Sequence, residues 1–453
     1  MRKILLIGAG KSSSYLVKYL SDHSQAENWQ VVVADANKKQ AEAITAKLAN
    51  CTPIAFNATD EKEREQYIKD SDIVISLLPA TLHSLIAEDC IKYGKHLVTA
   101  SYTSPEMKGL SDAAKKADLV FLTEMGLDPG IDHMSAKKLI DAIAEDGGEV
   151  TVFKSYCGGL IAPESDDNPW NYKVTWNPRN VVLAGQGTSR YLDDGQIKYV
   201  PYSRVFSQIE KIKVPGEGGY DAYVNRDSLK YIDPYGIKNA KTVLRGTLRH
   251  KGFCKKWNCL VALGITDDSF VIEDASELTY KQFASSFLPA KSELDAFLWK
   301  NFEIEKGDKE YKAIDWLGLL SDEKIGMTYV TPAQILQKLL EKKLKLKPKD
   351  KDMIVMYHEI HCKKGKKENI VQSSLEVKGE NSQYTAMAKT VGLPLAMAAK
   401  LILNNKVKSR GVIIPVQKEI YIPVLKELEQ YGVKFVEKTG NKKKGFSANF
   451  KLF

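Results

Sequence analysis

The feature that most constrains the fold is the regular alternation of short apolar runs with amphipathic, helix-length segments over residues 1–126. The runs are apolar almost throughout instead of at every second position, which is typical of strands buried on both faces of a parallel sheet. The segments between them provide the crossovers that parallel strands require. We therefore predict an α/β fold built on a doubly wound parallel sheet. The predicted strands are residues 4–7, 29–35, 52–58, 72–79, 96–102 and 119–126.

The first of these strands runs into a glycine turn, in the stretch ILLIGAGKSSSYLVKYL (4–20). Gly8 permits a tight turn, and Gly10 lets a pyrophosphate approach the backbone. The N-terminus of the following helix offers free N–H groups to the phosphates. Ser13 stands at the third position of the glycine fingerprint, which weakens the motif. Because the turn joins the opening strand to a helix, we predict a dinucleotide-binding Rossmann domain.

Asp35 ends the second predicted strand, where an acid accepts hydrogen bonds from the adenosine ribose of a bound dinucleotide. A carboxylate repels the 2′-phosphate of NADP, so Asp35 predicts NAD as the cofactor and makes NADP the less favoured one. Lys38 and Lys39 follow closely and weaken that prediction. The alternative interpretation is that Asp35 caps the next helix.

One carboxylate, Asp128, lies in a turn where a strand of the predicted sheet meets a helix, in FLTEMGLDPGIDHM (121–134). Asp, Gly and Pro are ordinary turn residues, so local turn chemistry is one explanation. Ligands of open α/β sheets bind at the carboxyl ends of the strands, so a binding site is the other. Asn57, Leu78, Ala100 and Leu127 also lie at the carboxyl ends of predicted strands, and we expect all of them at this same edge.

Three arginines in the middle of the chain lie beside turn residues, in YVNRDSL (223–229) and VLRGTLRH (243–250). Arg226, Arg245 and Arg249 could bind carboxylates through their planar guanidinium forks. Each arginine taken singly is more typical of a surface salt bridge. The segment 162–180, rich in Pro, Asn, Asp and Trp, is interpreted as an ordered functional loop. Helices are predicted over 276–345, 386–403 and 418–431, and strands at 149–160, 351–360, 433–436 and 446–451.

Composition and charge restrict the function classes. The net charge of +9 is concentrated in lysine runs at 342–351 and 442–444, which we interpret as solvated surface, because no nucleic-acid-binding motif accompanies them. The six cysteines form no CxxC pair, which predicts reduced thiols and no metal site. The N-terminal apolar run is too short for a signal peptide, and no window approaches the ~20 apolar residues of a membrane span. We expect a soluble, cytoplasmic protein that binds neither nucleic acid nor membrane.

Several long blocks stand out in the sequence: SYCGGLIAPESDDNPWNYKVTW, GLDPGIDHM, NRDS, RGTLR, KDMIVM and AMAKTVGLPLAMAAK. Together they resemble the saccharopine dehydrogenase family of the L-glutamate-forming type (saccharopine reductase). The closest likeness is to the saccharopine dehydrogenase half of the animal bifunctional lysine-degrading enzyme, and it extends to about residue 432. The resemblance implies that saccharopine, NAD(P) and water give 2-aminoadipate 6-semialdehyde, glutamate and NAD(P)H. It also implies a homodimer with a Rossmann domain, an α/β substrate and dimerisation domain, and a helical insert.

The resemblance implies a set of site residues. Asp128 and Tyr102 are the predicted catalytic pair, and Cys157 and His133 are the other candidates for proton transfer. The implied substrate contacts are Ser101, Tyr102, Asp128, Arg226, Thr247, Leu248 and Arg249. The implied cofactor contacts are Gly8, Ala9, Gly10, Lys11, Ser12, Asp35, Asn57, Leu78, Ala100, Leu127, Asp128, Pro129 and Asn177.

The same resemblance implies the domain ranges of the chain. They are a Rossmann domain (1–127), a substrate domain (128–265), a helical insert (266–346), a return to the substrate domain (347–385) and a C-terminal segment on the Rossmann domain (386–453). Two alternatives stay open: a related imine-reducing enzyme such as carboxynorspermidine dehydrogenase, and a non-catalytic dinucleotide-sensing relative. The presence of both NRDS and RGTLR disfavours the first. The GLDPG and CGGL blocks disfavour the second.

Overall fold

The computed structural model describes residues 1–441 and 445–447. Its described residues form two compact units. Unit 1 contains Met1–Glu149 and Leu375–Val436, and unit 2 contains Val150–Ser374 with the described residues from 437 onward. The five domain ranges derived from the sequence stay a prediction. Lys442, Lys443 and Lys444 of the second lysine run lie outside the described residues, as does the end of the strand predicted at 446–451.

The first part of unit 1 alternates strands and helices. The strands are β1 (Arg2–Ile7), β2 (Trp29–Asp35), β3 (Cys51–Ala55), β4 (Ile73–Ser76), β5 (His96–Thr99) and β6 (Val120–Leu122). The helices are α1 (Ser14–Glu27), α2 (Lys38–Thr45), α3 (Glu61–Lys69), α4 (His83–Tyr93), α5 (Pro105–Gly109), α6 (Ser111–Lys116) and α7 (Ile131–Glu145).

Unit 2 follows with longer strands and a group of helices. The strands are β7 (Glu149–Ile161), β8 (Thr188–Asp193), β9 (Gln196–Pro201), β10 (Glu210–Val214), β11 (Gly218–Val224), β12 (Thr242–His250), β13 (Asp352–Lys364) and β14 (Lys367–Lys378). The helices are α8 (Pro178–Val182), α9 (Tyr202–Val205), α10 (Ile232–Tyr235), α11 (Phe253–Leu263), α12 (Tyr280–Ser285), α13 (Leu294–Phe302), α14 (Lys309–Leu317) and α15 (Pro332–Lys343).

The C-terminal region begins with elements that belong to unit 1. They are α16 (Ala386–Leu403), β15 (Gly411–Ile413) and α17 (Lys418–Leu428). Two short strands, β16 (Val436–Asn441) and β17 (Gly445–Ser447), then join the sheet of unit 2.

The sheet of unit 1 confirms the predicted doubly wound fold. Its strand order is β15-β6-β5-β4-β1-β2-β3, and neighbouring strands are parallel. The register aligns the carboxyl ends of the central strands, because Ile7 pairs with both Ala34 and Ser76, and Ser76 pairs with Thr99. The strand order reverses at β1, so a ligand crevice is expected at the carboxyl ends of β1 and β4.

The long helix α16 packs closely against α1 in unit 1. A Cβ added to Gly392 would lie 2.9 Å from the backbone nitrogen of Leu16, so glycine allows the two helices to approach. Pro394 lies inside α16. Among the described residues, α16 is the one helix long and apolar enough to cross a membrane, and 72% of that window is buried in the protein. Such burial is typical of a core helix.

Unit 2 is built on a mixed sheet in which β12 is central. β12 pairs in parallel with β7 and antiparallel with β11. The predicted loop 162–180 is ordered and anchored to helices: Trp170 Nε1 donates to the carbonyl of Ala313 at 2.8 Å, and Lys256 Nζ donates to the carbonyl of Pro169 at 2.6 Å. Trp170 and Trp257 lie fully buried in the core that the helices share with this loop.

Candidate active site

The glycine turn of unit 1 has the geometry of a phosphate-binding loop. Gly8 has a φ of +107°, and a Cβ added to it would lie 3.1 Å from the Cβ of Leu77. The Cβ position of Gly10 has no atom within 4 Å, so the backbone there is open to a ligand. The turn leads into the N-terminus of α1, whose first N–H groups have no partner within the helix. These residues fit the pyrophosphate of a dinucleotide.

Asp35 holds this turn through its carboxylate. Its Oδ2 accepts from the backbone N–H of Ala9 at 2.8 Å, and its Oδ1 accepts from the backbone N–H of Asn37 at 2.8 Å. The cap of α2 is Asn37, whose side chain accepts from the N–H of Lys39, so Asp35 is not the helix cap. Because both carboxylate oxygens already accept hydrogen bonds from the backbone, Asp35 does not by itself specify the ribose of the cofactor.

The other implied cofactor positions of unit 1 lie at the carboxyl edge of its sheet, as expected from the register. Asn57 is exposed after β3, and its Oδ1 accepts from the backbone N–H and the hydroxyl of Thr59. Gly126 passes close to Ala100, because a Cβ on Gly126 would lie 3.0 Å from that of Ala100. The remaining positions are Lys11 and Ser12 in the glycine turn, Leu78 after β4, and Leu127 and Pro129 after β6.

Asp128 lies in a tightly closed turn at the same edge. The N–H of Gly126 donates to the carbonyl of Pro129 at 2.9 Å, and the N–H of Ile131 donates back to the carbonyl of Gly126 at 2.9 Å. The Asp128–Pro129 peptide bond is cis. The hydroxyl of Tyr102 donates to Oδ1 of Asp128 at 2.9 Å. The structure therefore brings together the two residues predicted as the catalytic pair, both of them half-buried.

A buried polar cluster supports this turn from the protein interior. Glu124, with a φ of +56°, accepts from the N–H of Thr103 at 3.0 Å and from Nε2 of His133 at 2.9 Å. Asp132 accepts from the N–H of Gly130 at 2.6 Å. Glu124, Asp132 and His133 are all at most 2% exposed. His133 is thus a core histidine in the hydrogen-bonded interior of unit 1.

His83 is a residue of this edge that the sequence analysis missed. Its Nε2 lies 2.8 Å from the hydroxyl oxygen of Ser101 and 3.1 Å from that of Thr99, and its Nδ1 lies 3.0 Å from that of Ser76. Burial lowers the pKa of His83 to about 4, so the ring is neutral at pH 7. His83 therefore orients Ser101, which is one of the implied substrate contacts. The hydroxyl residues at the carboxyl ends of β4 and β5 were the available sequence signal.

Three of the implied substrate residues of unit 2, Thr247, Leu248 and Arg249, lie on β12. Thr247 pairs with Cys157 of β7 on one side and with Tyr223 of β11 on the other. Leu248 is buried, and a Cβ on Gly158 would lie 2.7 Å from the carbonyl oxygen of Leu248. Gly158 is therefore required for the close approach of β7 to β12.

Arg249 is buried among aromatic rings and is not a surface salt-bridge residue. Its guanidinium carbon lies 5.4 Å from the ring centres of Tyr172 and Phe253 and 5.7 Å from that of Tyr223. Its Nη2 donates to the hydroxyl of Tyr223 at 3.2 Å. Arg245 is also buried and stacks on Tyr231. The interpretation as surface residues is therefore wrong for these two arginines, because both belong to a buried strand instead of a loop.

Two implied contacts of unit 2 lie on exposed turns. Arg226 has a φ of +51°, and its carbonyl accepts from the N–H of Arg190 at 2.9 Å. Asn177 caps α8, because its side chain accepts from the N–H of Arg179 at 2.9 Å. Among the described residues, no group of three or more His, Cys, Asp or Glu side chains could hold a metal ion.

Comparison with known protein families gives two matches that together span most of the chain. Residues 4–122 match the saccharopine dehydrogenase NADP binding domain, and residues 126–433 match the saccharopine dehydrogenase C-terminal domain. The second match begins at Gly126, where the turn that carries Asp128 begins.

Individual relatives agree with the family matches. The chain is 33% identical to the saccharopine dehydrogenase (NADP(+), L-glutamate-forming) of Pyricularia oryzae, with 96% of this chain and 99% of the relative covered. It is 36% identical to the mitochondrial alpha-aminoadipic semialdehyde synthase of Bos taurus, with 96% of this chain covered. The chain spans only 47%, about half, of that longer relative.

A solved structure supports the same conclusion for the fold. The apo saccharopine dehydrogenase (L-Glu forming) of Saccharomyces cerevisiae is 33% identical and superimposes with a TM-score of 0.85. The similarity covers 97% of this chain and all of that one.

These matches correct the cofactor predicted from Asp35. The fungal relatives are named as NADP(+) enzymes, and the matching N-terminal family is an NADP binding domain, so the preference for NAD is wrong. The physical reason lies in the glycine turn. The carboxylate of Asp35 is bound by the backbone N–H groups of Ala9 and Asn37, so an acid at this position has a structural use that is independent of the ribose.

Proposed function

The chain belongs to the saccharopine dehydrogenase family, and we propose that it oxidises saccharopine with NADP and water to 2-aminoadipate 6-semialdehyde and L-glutamate. This is a reaction of lysine metabolism. The observation that carries the proposal is the 2.9 Å hydrogen bond from Tyr102 to Asp128 at the carboxyl edge of the dinucleotide-binding sheet. A proton-accepting group at this edge is what oxidation of an amine next to a dinucleotide requires.

Unit 1 provides the groups for the cofactor and for proton transfer. The turn of Gly8 and Gly10 would hold the dinucleotide, which would supply a hydride acceptor for the oxidation of the secondary amine of saccharopine. Asp128 accepts the proton that this amine must lose, and later assists the water that hydrolyses the substrate imine. Tyr102 holds the carboxylate of Asp128 in one orientation through its hydroxyl. His83 is a positioning residue, because it acts through the hydroxyl of Ser101.

Unit 2 provides the groups for the carboxylates of the substrate. Saccharopine has three carboxylates, and a guanidinium binds a carboxylate through two parallel hydrogen bonds. We assign this role to Arg249 and Arg226, with Thr247 as a hydroxyl donor. The burial of Arg249 supports the assignment, because charge-assisted hydrogen bonds are strongest away from water.

The test is the rate of NADPH formation by the purified chain with saccharopine and NADP. We expect turnover that requires saccharopine and that disappears when lysine replaces it, since lysine lacks the secondary amine. The reverse assay, with glutamate, 2-aminoadipate 6-semialdehyde and NADPH, is run in parallel. Measurable NADP binding without turnover in either direction would contradict the proposal.

Two further features stay predictions. The resemblance implies a homodimer, which sedimentation of the purified chain would measure. A cytoplasmic location is suggested by the six cysteines, which form no CxxC pair.

A further inference from the structure

Arg249 and Tyr172 both carry a buried polar atom without a hydrogen-bond partner. Arg249 is 4% exposed and Tyr172 is 1% exposed. Nε of Arg249 and the hydroxyl oxygen of Tyr172 are buried, and no group among the described residues bonds to either of them. The two side chains are in contact, since the guanidinium carbon of Arg249 lies 5.4 Å from the ring centre of Tyr172.

The surroundings of Arg249 do not neutralise its charge. Its hydrogen bonds go to the hydroxyl of Tyr223 at 3.2 Å and to the carbonyl of Leu248 at 3.3 Å, and no carboxylate of the described residues forms an ion pair with it. Aromatic rings stabilise a guanidinium only partly. A buried charge that lacks a counter-ion is strongly unfavourable, so such an arginine is typical of a site that binds an anion.

We propose that Tyr172 is a second hydrogen-bond donor to the substrate carboxylate that binds Arg249. The inference rests on the proposed function and extends it to a residue outside the implied substrate set. The hydroxyl of Tyr172 and Nε of Arg249 are both hydrogen-bond donors without an acceptor among the described residues. A carboxylate oxygen accepts from both kinds of group. A guanidinium and a phenol held by the same aromatic cluster would thus bind one carboxylate together.

The contacts of Tyr172 hold its side chain in one orientation. Its carbonyl accepts from Nδ2 of Asn168 at 3.0 Å, and its ring packs against Phe253 with centres 5.3 Å apart. The neighbouring Trp170 anchors the loop to α14 through Ala313. A rigid ring places the hydroxyl without loss of side-chain entropy on binding, which favours affinity.

Replacement of Tyr172 by phenylalanine tests the proposal, because Tyr172→Phe keeps the ring and removes only the hydroxyl. We expect the KM for saccharopine to rise about 10- to 100-fold, the range for a lost hydrogen bond to a charged group. The kcat should change much less, and the affinity for NADP should not change. Thermal stability should stay the same or increase, because a buried hydroxyl without a partner is removed.

Tyr280→Phe is the matched control, since Tyr280 is equally buried in the helical part of unit 2 and does not stack on Arg249. An unchanged KM for saccharopine in Tyr172→Phe would overturn the proposal. So would a parallel loss of stability and of affinity for both saccharopine and NADP, which a packing role predicts.

Calorimetry of glutamate binding separates this proposal from the proposed function. If the chain binds NADP but does not turn over saccharopine, the proposed function fails. Glutamate binding that is about 10-fold or more weaker in Tyr172→Phe than in the original chain would still support the carboxylate site. Equal glutamate affinities in the two proteins would overturn it.

Discussion

The turn of Asp128 in unit 1 and the aromatic cluster of Arg249 in unit 2 hold their charged groups in opposite ways. Around Asp128 the polar groups satisfy one another: Tyr102 donates to its carboxylate, and Glu124 and His133 form a hydrogen-bonded interior behind it. Around Arg249 the neighbours are aromatic, and a donor atom is left without a partner. The first arrangement fixes the geometry of a proton acceptor. The second leaves a hydrogen-bond donor of Arg249 without an acceptor from the protein, so that a ligand can bind to it.

This difference predicts that changes at the turn and at the aromatic cluster affect different kinetic parameters. Asp128→Asn should lower kcat by about 10³-fold, within the range for general acid–base catalysis, because the amide cannot accept the proton of the amine. The affinity for NADP and the thermal stability should change little, since the amide oxygen can still accept from Tyr102. Steady-state kinetics and a cofactor titration measure both. A near-normal kcat in this variant would show that Asp128 is not the base.

Arg249→Met should raise the KM for saccharopine by about 10²-fold and leave the free energy of unfolding within about 1 kcal/mol. The methionine fills the space between the aromatic rings with an apolar side chain of similar length. Replacing a buried charge by such a group is often neutral or stabilising. Denaturant unfolding alongside the kinetics gives both values. A loss of several kcal/mol with an unchanged KM would show that Arg249 is structural.

Glu124→Ala, unlike Arg249→Met, should clearly lower the free energy of unfolding. It leaves the N–H of Thr103 and the ring N–H of His133 buried without an acceptor, which costs about 2–4 kcal/mol. Urea denaturation compared with the conservative Glu124→Gln variant, which keeps one acceptor oxygen, measures the effect. A change below about 0.5 kcal/mol would mean that the interior cluster does not stabilise the turn.

His83 predicts a pH dependence of stability in the acid range. Burial lowers its pKa from 6.5 to about 4, so the unfolded chain binds a proton more readily than the folded one between these values. This contribution to stability is fully present above pH 6.5 and is lost as the pH falls towards 4, by up to about 3 kcal/mol. Unfolding of the original chain and of His83→Gln across this range gives the difference. Identical pH profiles would contradict the prediction.

The fold of unit 1 could be predicted because its signals are local. Each strand is a short apolar run, and parallel strands align their carboxyl ends, so the position of Asp128 at the ligand edge follows from the sequence. The interpretation of Arg245 and Arg249 as surface residues beside turns failed because it ignored the period of two in a strand. In RGTLR, Arg245, Thr247 and Arg249 lie on one face of β12, and this alternation was visible in the sequence.

Other parts of the site depend on contacts between distant residues. The carboxylate of Asp35 is bound by Ala9, 26 positions earlier in the chain, and His83 contacts hydroxyl groups at the carboxyl ends of two different strands. Tyr172 lies in a loop, and its meeting with Arg249 on β12 has no local signature. Such contacts are set by tertiary packing, so the sequence pattern alone could not reveal them.

The most direct test of the account is the stoichiometry of products from saccharopine and NADP with the purified chain. Mass spectrometry of the amino acids, together with the absorbance of NADPH, should show glutamate and NADPH formed in equal amounts as saccharopine disappears. Such equality would support oxidation at the amine followed by hydrolysis of the imine. Formation of lysine, or NADPH without glutamate, would contradict the proposed reaction.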